Sequence, residues 1–299
     1  MLAPIALFVY NRPSHTQRTI EALKGNLLAG DSDLVVFSDG AKNTQDAVGV
    51  NEVRSYLKSI SGFKTTRIVA RDHNFGLADS IIDGVTEVVN EYDKVIVLED
   101  DLLTSKYFLT FINQGLDKYQ NTDRVVSIHG YVYPVKESLP ETFFLKGADC
   151  WGWATWKRGW DVFEKDGEKL LVQLKERGLA QEFDFNHSYP FTQMLRDQIA
   201  GKNQSWAIRW YASAFLKDKL TLYPGRSLVE NIGFDGSGTH CSDSNSYLRN
   251  VDDVSIGLES INIEENLEAK KVIEKFFRSN WVSVFKKIGI KIKRLFGSK

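Results

Sequence analysis

Glu99, Asp100 and Asp101 follow directly on the apolar run Lys94-Val95-Ile96-Val97-Leu98. The run reads as a short buried strand, so three carboxylates fall where that strand leaves its sheet. Adjacent like charges repel, and none is buried cheaply without a counter-charge. A divalent cation is the simplest counter-charge, and phosphate is its commonest companion. The residue types therefore point to a metal-assisted site for a phosphorylated donor, with Mn2+ or Mg2+ as the cation suited to hard oxygen ligands. The alternative is a solvated acidic turn ahead of a helix that starts near Ser105.

The elements that must position this triplet alternate. Strands are expected at Ile5–Tyr10, Leu34–Ser38, Thr66–Ala70 and Lys94–Leu98, with helices near Ser14–Lys24, Thr44–Ile60 and Leu77–Tyr92 between them. Ser14 and Gln17 have the spacing of a capping box. Ile81, Val85, Val88 and Val89 form the apolar stripe of the third helix. Strands spaced by helices imply a mainly parallel sheet covered on both faces, an α/β fold. In such sheets ligands bind beyond the carboxyl ends of the strands. Those ends carry Asn11-Arg12-Pro13, then Asp39-Gly40, then Arg71-Asp72-His73-Asn74-Phe75-Gly76, then the acidic triplet. Each could be turn chemistry on its own. Together on one edge they describe a nucleotide-phosphate cleft, with glycine allowing close backbone approach.

Beyond a helix near Lys106–Tyr119 and a strand at Val125–His129 the pattern changes. Cys150-Trp151-Gly152-Trp153-Ala154-Thr155-Trp156, followed by Trp160, is the densest aromatic patch. Helices near Asp166–Gly178 and Asn203–Phe215 come next, then a strand at Leu220–Tyr223. The Gly-rich segment from Gly233 to His240 suits a loop that orders over a bound donor. Residues 242–263 read as a linker with short strand potential, and 264–299 as a helical tail.

The 299 residues are 42% hydrophobic and 26% charged, ordinary for a globular protein. Cys150 and Cys241 make neither a disulfide framework nor a cysteine-rich zinc site. The opening residues read as a strand rather than a basic-then-apolar leader, and no apolar stretch reaches the roughly 20 residues of a membrane span. A cytoplasmic protein is expected. The net charge of −1 hides an asymmetry: Lys270 to Lys299 holds ten bases and one acid, a net +9, against −10 for the remainder. Phe276, Phe277, Trp281, Val284, Phe285, Ile288, Ile292 and Leu295 recur at three- and four-residue spacing among these bases. A basic amphipathic helix of this type suits an anionic membrane surface at the inner face of the cytoplasmic membrane. Packing on its own domain or on a dimer partner is the alternative. Nothing points to nucleic acid.

The order strand, Asn-Arg-Pro, Asp-Gly, Arg-x-x-Asn-Phe-Gly-Leu and Leu-Glu-Asp-Asp resembles the A-type glycosyltransferase fold, and is most similar to the N-acetylglucosaminyltransferase I-like group and its bacterial family 2-like relatives. The segment from Glu99 to Leu102 is the form which that group gives to the Asp-x-Asp motif. Cys150–Trp153 and Ser205–Trp210 resemble its acceptor-side half. The resemblance spans roughly Ile5 to Cys241. It implies a catalytic domain over 1–241, with a nucleotide-sugar half at 1–120 and an acceptor half at 121–241.

The resemblance further implies transfer of a sugar, with inversion, from a nucleotide-diphosphate sugar (a UDP-sugar by preference) to a hydroxyl of a bacterial surface glycan or lipid-linked saccharide. Asp101 would hold Mn2+ or Mg2+ on the diphosphate, joined by His240 from the loop. Glu99 and Asp100 would face the donor sugar and ribose. Arg12 would lie near the diphosphate, and Asp39 and His73 near the base. Asn11, Asn74 and Gly76 complete the donor edge, and Trp151, Trp153 and Trp206 the acceptor side. The family's catalytic base falls in a Trp-Asp-Asp-Trp-like segment. Here that stretch is Trp206-Ala207-Ile208-Arg209-Trp210, with no acid. Asp149 is the leading substitute, with Asp197 and Asp235 behind it, and Arg209 is carried as its catalytic companion. A helix cap is the plain alternative for Asp149, and an internal ion pair for Arg209.

Two other classes remain at this point. A nucleotidyltransferase uses a related sheet and metal carboxylates, but normally has a Gly-rich signature with Arg and Lys after the first strand. A non-enzymatic membrane-active or carbohydrate-binding protein would explain the tail but not four polar strand ends on one edge.

Overall fold

A computed structural model describes residues 1–235, 247, 251 and 253–280. In chain order the elements are β1 Ile5–Val9, α1 Pro13–Lys24, β2 Asp33–Ser38, α2 Thr44–Leu57, β3 Thr65–Ala70, α3 Leu77–Tyr92, β4 Lys94–Glu99, β5 Leu102–Thr104, α4 Phe108–Tyr119 and β6 Val125–His129. There follow β7 Thr142–Lys146, β8 Trp153–Trp156, α5 Lys157–Trp160, α6 Gly167–Glu176, α7 Ala180–Phe183, α8 Phe191–Ile199, α9 Trp206–Leu216, β9 Leu220–Pro224 and β10 Val229–Asn231. A last helix, α10, is described over residues 267–280.

Eight strands form one sheet in the order β3-β2-β1-β4-β8-β6-β9-β7. The first four run parallel. β8 is antiparallel to both neighbours, β4 and β6. β9 returns parallel to β6, and β7 closes the sheet antiparallel. This is the expected α/β class with a mainly parallel sheet flanked by helices. The central strands β1 and β4 are near-continuous apolar runs because both faces are covered, whereas β3 at the sheet edge is largely exposed. Ile5, Leu7 and Val9 of β1 point into a core under α1, α2 and α4. Ala6 and Phe8 point into the opposite core, under α3 and α9. β4 divides the same way, with Ile96 and Leu98 on one face and Val95 and Val97 on the other. A third core joins α6 to α10 with β7.

One local expectation is corrected. α1 starts at Pro13 with Arg12 as its N-cap, and no side chain caps it. The proline takes the first helical position, where its missing N–H costs nothing, so Ser14 and Gln17 lie two positions too deep for a capping box. Between the acidic triplet and α4, β5 pairs antiparallel with β10. That small ribbon brings residues 229–235 back beside the triplet.

The start of the expected tail docks on the domain. Ala269, Ile273 and Phe277 of α10 are buried in the third core, and Phe277 lies 4.9 Å from the ring of Tyr133. Phe277, expected on a membrane-facing stripe, faces protein instead. Ile256 in the expected linker is buried against the first core. Residues 281–299, with Trp281 and the later stripe, lie outside the described residues. Among the described residues no helix is long and apolar enough to cross a membrane.

Candidate active site

β1, β2, β3 and β4 are parallel, so their carboxyl ends share one edge. β8 is antiparallel and begins there, with Trp153 opposite Val97 and His129. The segment Asp149–Gly152 therefore reaches the same edge as the triplet.

Arg12 leaves β1 and crosses to the end of β4. Its Nη2 donates to Asp100 Oδ1 and, at 2.9 Å, to Asp101 Oδ2. Its Nε donates to Asp100 Oδ2 at 3.4 Å. Burial alone would lower the guanidinium's proton affinity, but Asp100 and Asp101 outweigh it and carry the pKa above the usual arginine value. Burial pushes Glu99 up to about 8, with Asp101 and Asp100 adding to it and Arg12 opposing. Burial likewise raises Asp100, against the pull of Arg12. Two carboxylates thus share one guanidinium, with Glu99 buried beside them, and the residual negative charge is what a divalent cation would relieve. Among the described residues no three His, Cys, Asp or Glu side chains converge as a metal site. One or two carboxylates from the triplet, with the other oxygens from a diphosphate and water, is the arrangement Mg2+-type ions adopt. The donor set fits such an ion on those terms. His240, the expected second ligand, lies outside the described residues.

The triplet is held from both sides. Thr19 of α1 donates to the Asp100 carbonyl at 2.8 Å, and the Ile232 amide to the Asp101 carbonyl at 2.8 Å. A Cβ on Gly233 would sit 2.2 Å from Asp101 Oδ2, so only glycine lets this turn lie on the carboxylate. Asp235 reaches His15 of α1 at 3.1 Å, which puts the reserve base beside the triplet.

The donor edge beyond β2 and β3 is built on Asp39. Its Oδ1 accepts from the amides of Gly40 and Phe75, both at 2.8 Å. Its Oδ2 accepts from the Gly76 amide and Asn74 Nδ2, both at 3.0 Å. A carboxylate offers about four acceptor positions, so Asp39 is spent on the loop. It clamps the 73–76 segment rather than offering a free oxygen to a nucleotide base. A Cβ at Gly40 would meet the His73 carbonyl carbon at 2.3 Å, the close approach expected there. His73 itself is exposed, with its ring 4.8 Å from Phe75. Asn11 is tied to Asp46 of α2 at 2.8 Å. Arg54, which the sequence did not single out, joins the two strand ends by donating to the carbonyls of Ser38, Asp39 and Arg71.

Asp149 is not a helix cap. Its Oδ2 accepts from Tyr133 at 2.9 Å and Tyr223 at 3.3 Å, and its Oδ1 from the Cys150 amide at 2.8 Å. Burial, then Asp149, raises both tyrosine pKa values well above normal. His129 lies 4.0 Å from Asp149, and its Nε2 accepts from the Trp151 amide at 3.1 Å. Burial lowers the His129 pKa against the pull of Asp149. The tyrosines and His129 escaped the sequence reading because they come from distant parts of the chain: Tyr133 from the loop after β6, Tyr223 from β9 and His129 from β6. The one hint was that His129 ends an expected strand on this edge.

The acceptor expectations divide. Trp151 is half-buried, packed edge-on to Tyr131, Phe234 and Tyr247. Trp153 and Trp206 are core instead, 0% and 3% exposed, with their rings stacked 5.6 Å apart. Trp210 and Trp160 pack on Trp153 from the same side. The spacing showed aromatics, but α9 laid over the sheet decides which are covered. Arg209 is also corrected. It is buried and donates to the carbonyls of Ser205 and Lys165 at 3.3 and 3.1 Å, a splint between α9 and the segment before α6. Asp197 ties off the surface turn after α8, accepting from the amide of Lys202 through its carbonyl and from the Lys202 ammonium at 3.3 Å, away from the triplet.

No protein-family model and no curated protein matches the chain. Among solved structures it is similar to a mannosyltransferase from Pyrobaculum calidifontis in complex with GDP-Man and Mn2+, at 10% identity over 73% of this chain and 70% of that one, with a TM-score of 0.37. It is also similar to S. aureus TarS, at 12% identity over 48% of this chain and 24% of that one, with a TM-score of 0.32. For residues 1–349 of TarS in complex with UDP the figures are 13%, 48%, 40% and 0.32. The chain spans less than half the length of TarS in either form.

Proposed function

We propose that this chain is a glycosyltransferase that moves a sugar from a nucleotide-diphosphate sugar to an acceptor hydroxyl. The carrying observation is the single edge where Arg12, the clamped 73–76 loop and the acidic triplet meet. A phosphate-bearing ligand needs a cationic donor; a hard cation needs carboxylates. Arg12 and the triplet supply them, at the strand ends where ligands of open α/β sheets bind.

In this reading the acceptor oxygen attacks the anomeric carbon as the bond from that carbon to the β-phosphate oxygen breaks. The electron pair leaves with the nucleoside diphosphate, and the acceptor proton passes to a carboxylate. Arg12 stabilises the charge that grows on the leaving diphosphate, an interaction stronger in the transition state than before it. A divalent cation held through Asp101, and through Glu99 or Asp100, would supply Lewis-acid stabilisation of the same charge. Asp149, aimed by Tyr133, Tyr223 and the Cys150 amide, takes the acceptor's proton, and attack from the face opposite the leaving group inverts the centre. Trp151 offers an aromatic face to the C–H side of a sugar acceptor. A surface glycan or lipid-linked saccharide is the acceptor class, and a UDP-sugar the favoured donor.

Calorimetric titration of UDP and of GDP, with Mn2+ and with EDTA, tests this. Mn2+-dependent binding that is lost in Asp101→Ala is expected. An Asp149→Asn chain should keep UDP binding and lose transfer. No nucleotide binding under any condition would refute the reading.

A further inference from the structure

Arg12 stands where a cation would stand. Its Nη2 straddles Asp100 Oδ1 and Asp101 Oδ2, and its Nε covers Asp100 Oδ2. Both oxygens of Asp100 thus face the guanidinium. Gly233 lies against Asp101 Oδ2, where a Cβ would come within 2.2 Å. The side chains of Arg12, Asp100 and Asp101 are 18%, 7% and 12% exposed, so water screens the arrangement poorly. The guanidinium itself is incompletely satisfied, because Nη1 is buried without a hydrogen-bond partner among the described residues. A phosphate would satisfy it better, since its oxygens match the planar fork in pairs.

We propose that Arg12 and the divalent cation compete for the carboxylates of Asp100 and Asp101, and that a bound diphosphate draws the guanidinium away and opens them to the cation. This rests on the transferase reading above. Without nucleotide, the guanidinium holds the carboxylates and the cation binds weakly. With nucleotide, the guanidinium turns to phosphate and the cation takes its place. Nucleotide and cation each strengthen the other's binding by the same factor, as linkage requires.

The test is Mn2+ binding followed by the loss of its free electron paramagnetic resonance signal, in wild type, Arg12→Gln and Arg12→Lys, first without nucleotide and then with UDP. Losing a charge-assisted hydrogen bond to the carboxylates should tighten nucleotide-free Mn2+ binding by about tenfold in Arg12→Gln. The factor by which UDP tightens Mn2+ should shrink in that chain. Arg12→Lys keeps a charge in place if the glutamine chain fails to fold. One ammonium does not span both carboxylates, so Mn2+ should still bind more tightly than in wild type. Equal nucleotide-free Mn2+ affinity in all folded chains overturns the competition and leaves the transferase reading standing. No Mn2+ binding by any chain, with or without UDP, overturns both.

Discussion

Asp39→Ala removes a clamp whose size can be worked out. The carboxylate is 5% exposed and accepts from Gly40, Phe75, Gly76 and Asn74. At a net of about 1 kcal/mol per bond, the four set a ceiling of about 4 kcal/mol. Asn74, Phe75 and Gly76 are only half-buried, so water recovers part of that. Asn74 also keeps its bond to the Gly40 carbonyl at 2.8 Å. A loss of about 2–3 kcal/mol is therefore expected, read in urea as a lower midpoint at unchanged slope. UDP affinity should fall as well, by roughly tenfold, because the ligand must then order the 73–76 loop. Asp39→Asn is the sharper variant. Its amide keeps one acceptor oxygen and turns an NH2 group toward two donors, so it should lose nearly as much as alanine. An asparagine chain within about 0.5 kcal/mol of wild type, yet weakened for UDP, would refute the clamp and restore Asp39 as a direct contact to the nucleotide.

The two tryptophan environments predict opposite outcomes. Trp153→Ala empties a fully buried site and should cost about 3–5 kcal/mol of stability, while Trp151→Ala should cost less and weaken transfer at low acceptor concentration; melts and acceptor KM values separate them. His129 gives a pH dependence. Burial lowers its folded pKa, so the unfolded chain binds more protons near and below about 6.5. Stability from this group is present above the unfolded pKa and lost as pH falls below it, by at most about 1.4 kcal/mol per pH unit. His129→Gln should flatten that limb between pH 7 and 5 in urea titrations, and an unchanged slope would remove the histidine from the account.

The six strands and six helices expected ahead of the tail all form, within a few residues at their ends. They are long and strongly patterned, and strand or helix period is a local property of the chain. β5, β7, β8 and β10 were not legible. β8 reads Trp153-Ala154-Thr155-Trp156, a run with no apolar-polar alternation because both faces are covered. Its antiparallel insertion between β4 and β6 is a choice among partners, which no local pattern records.

The same division runs through the site. Residue types at four strand ends declared a polar edge, because the α/β alternation fixes which end of each strand faces the cleft. Only the tertiary structure decided which groups on that edge are spent and which are available. Arg12 and Asp100 are 88 residues apart, and Tyr223 and Asp149 are 74 apart. Trp206 and Trp153 became core because α9 covers the sheet there, while Trp151, two residues from Trp153, faces the loop at Phe234. Burial and hydrogen-bond saturation depend on what packs from a distance, and that is settled by the whole chain at once.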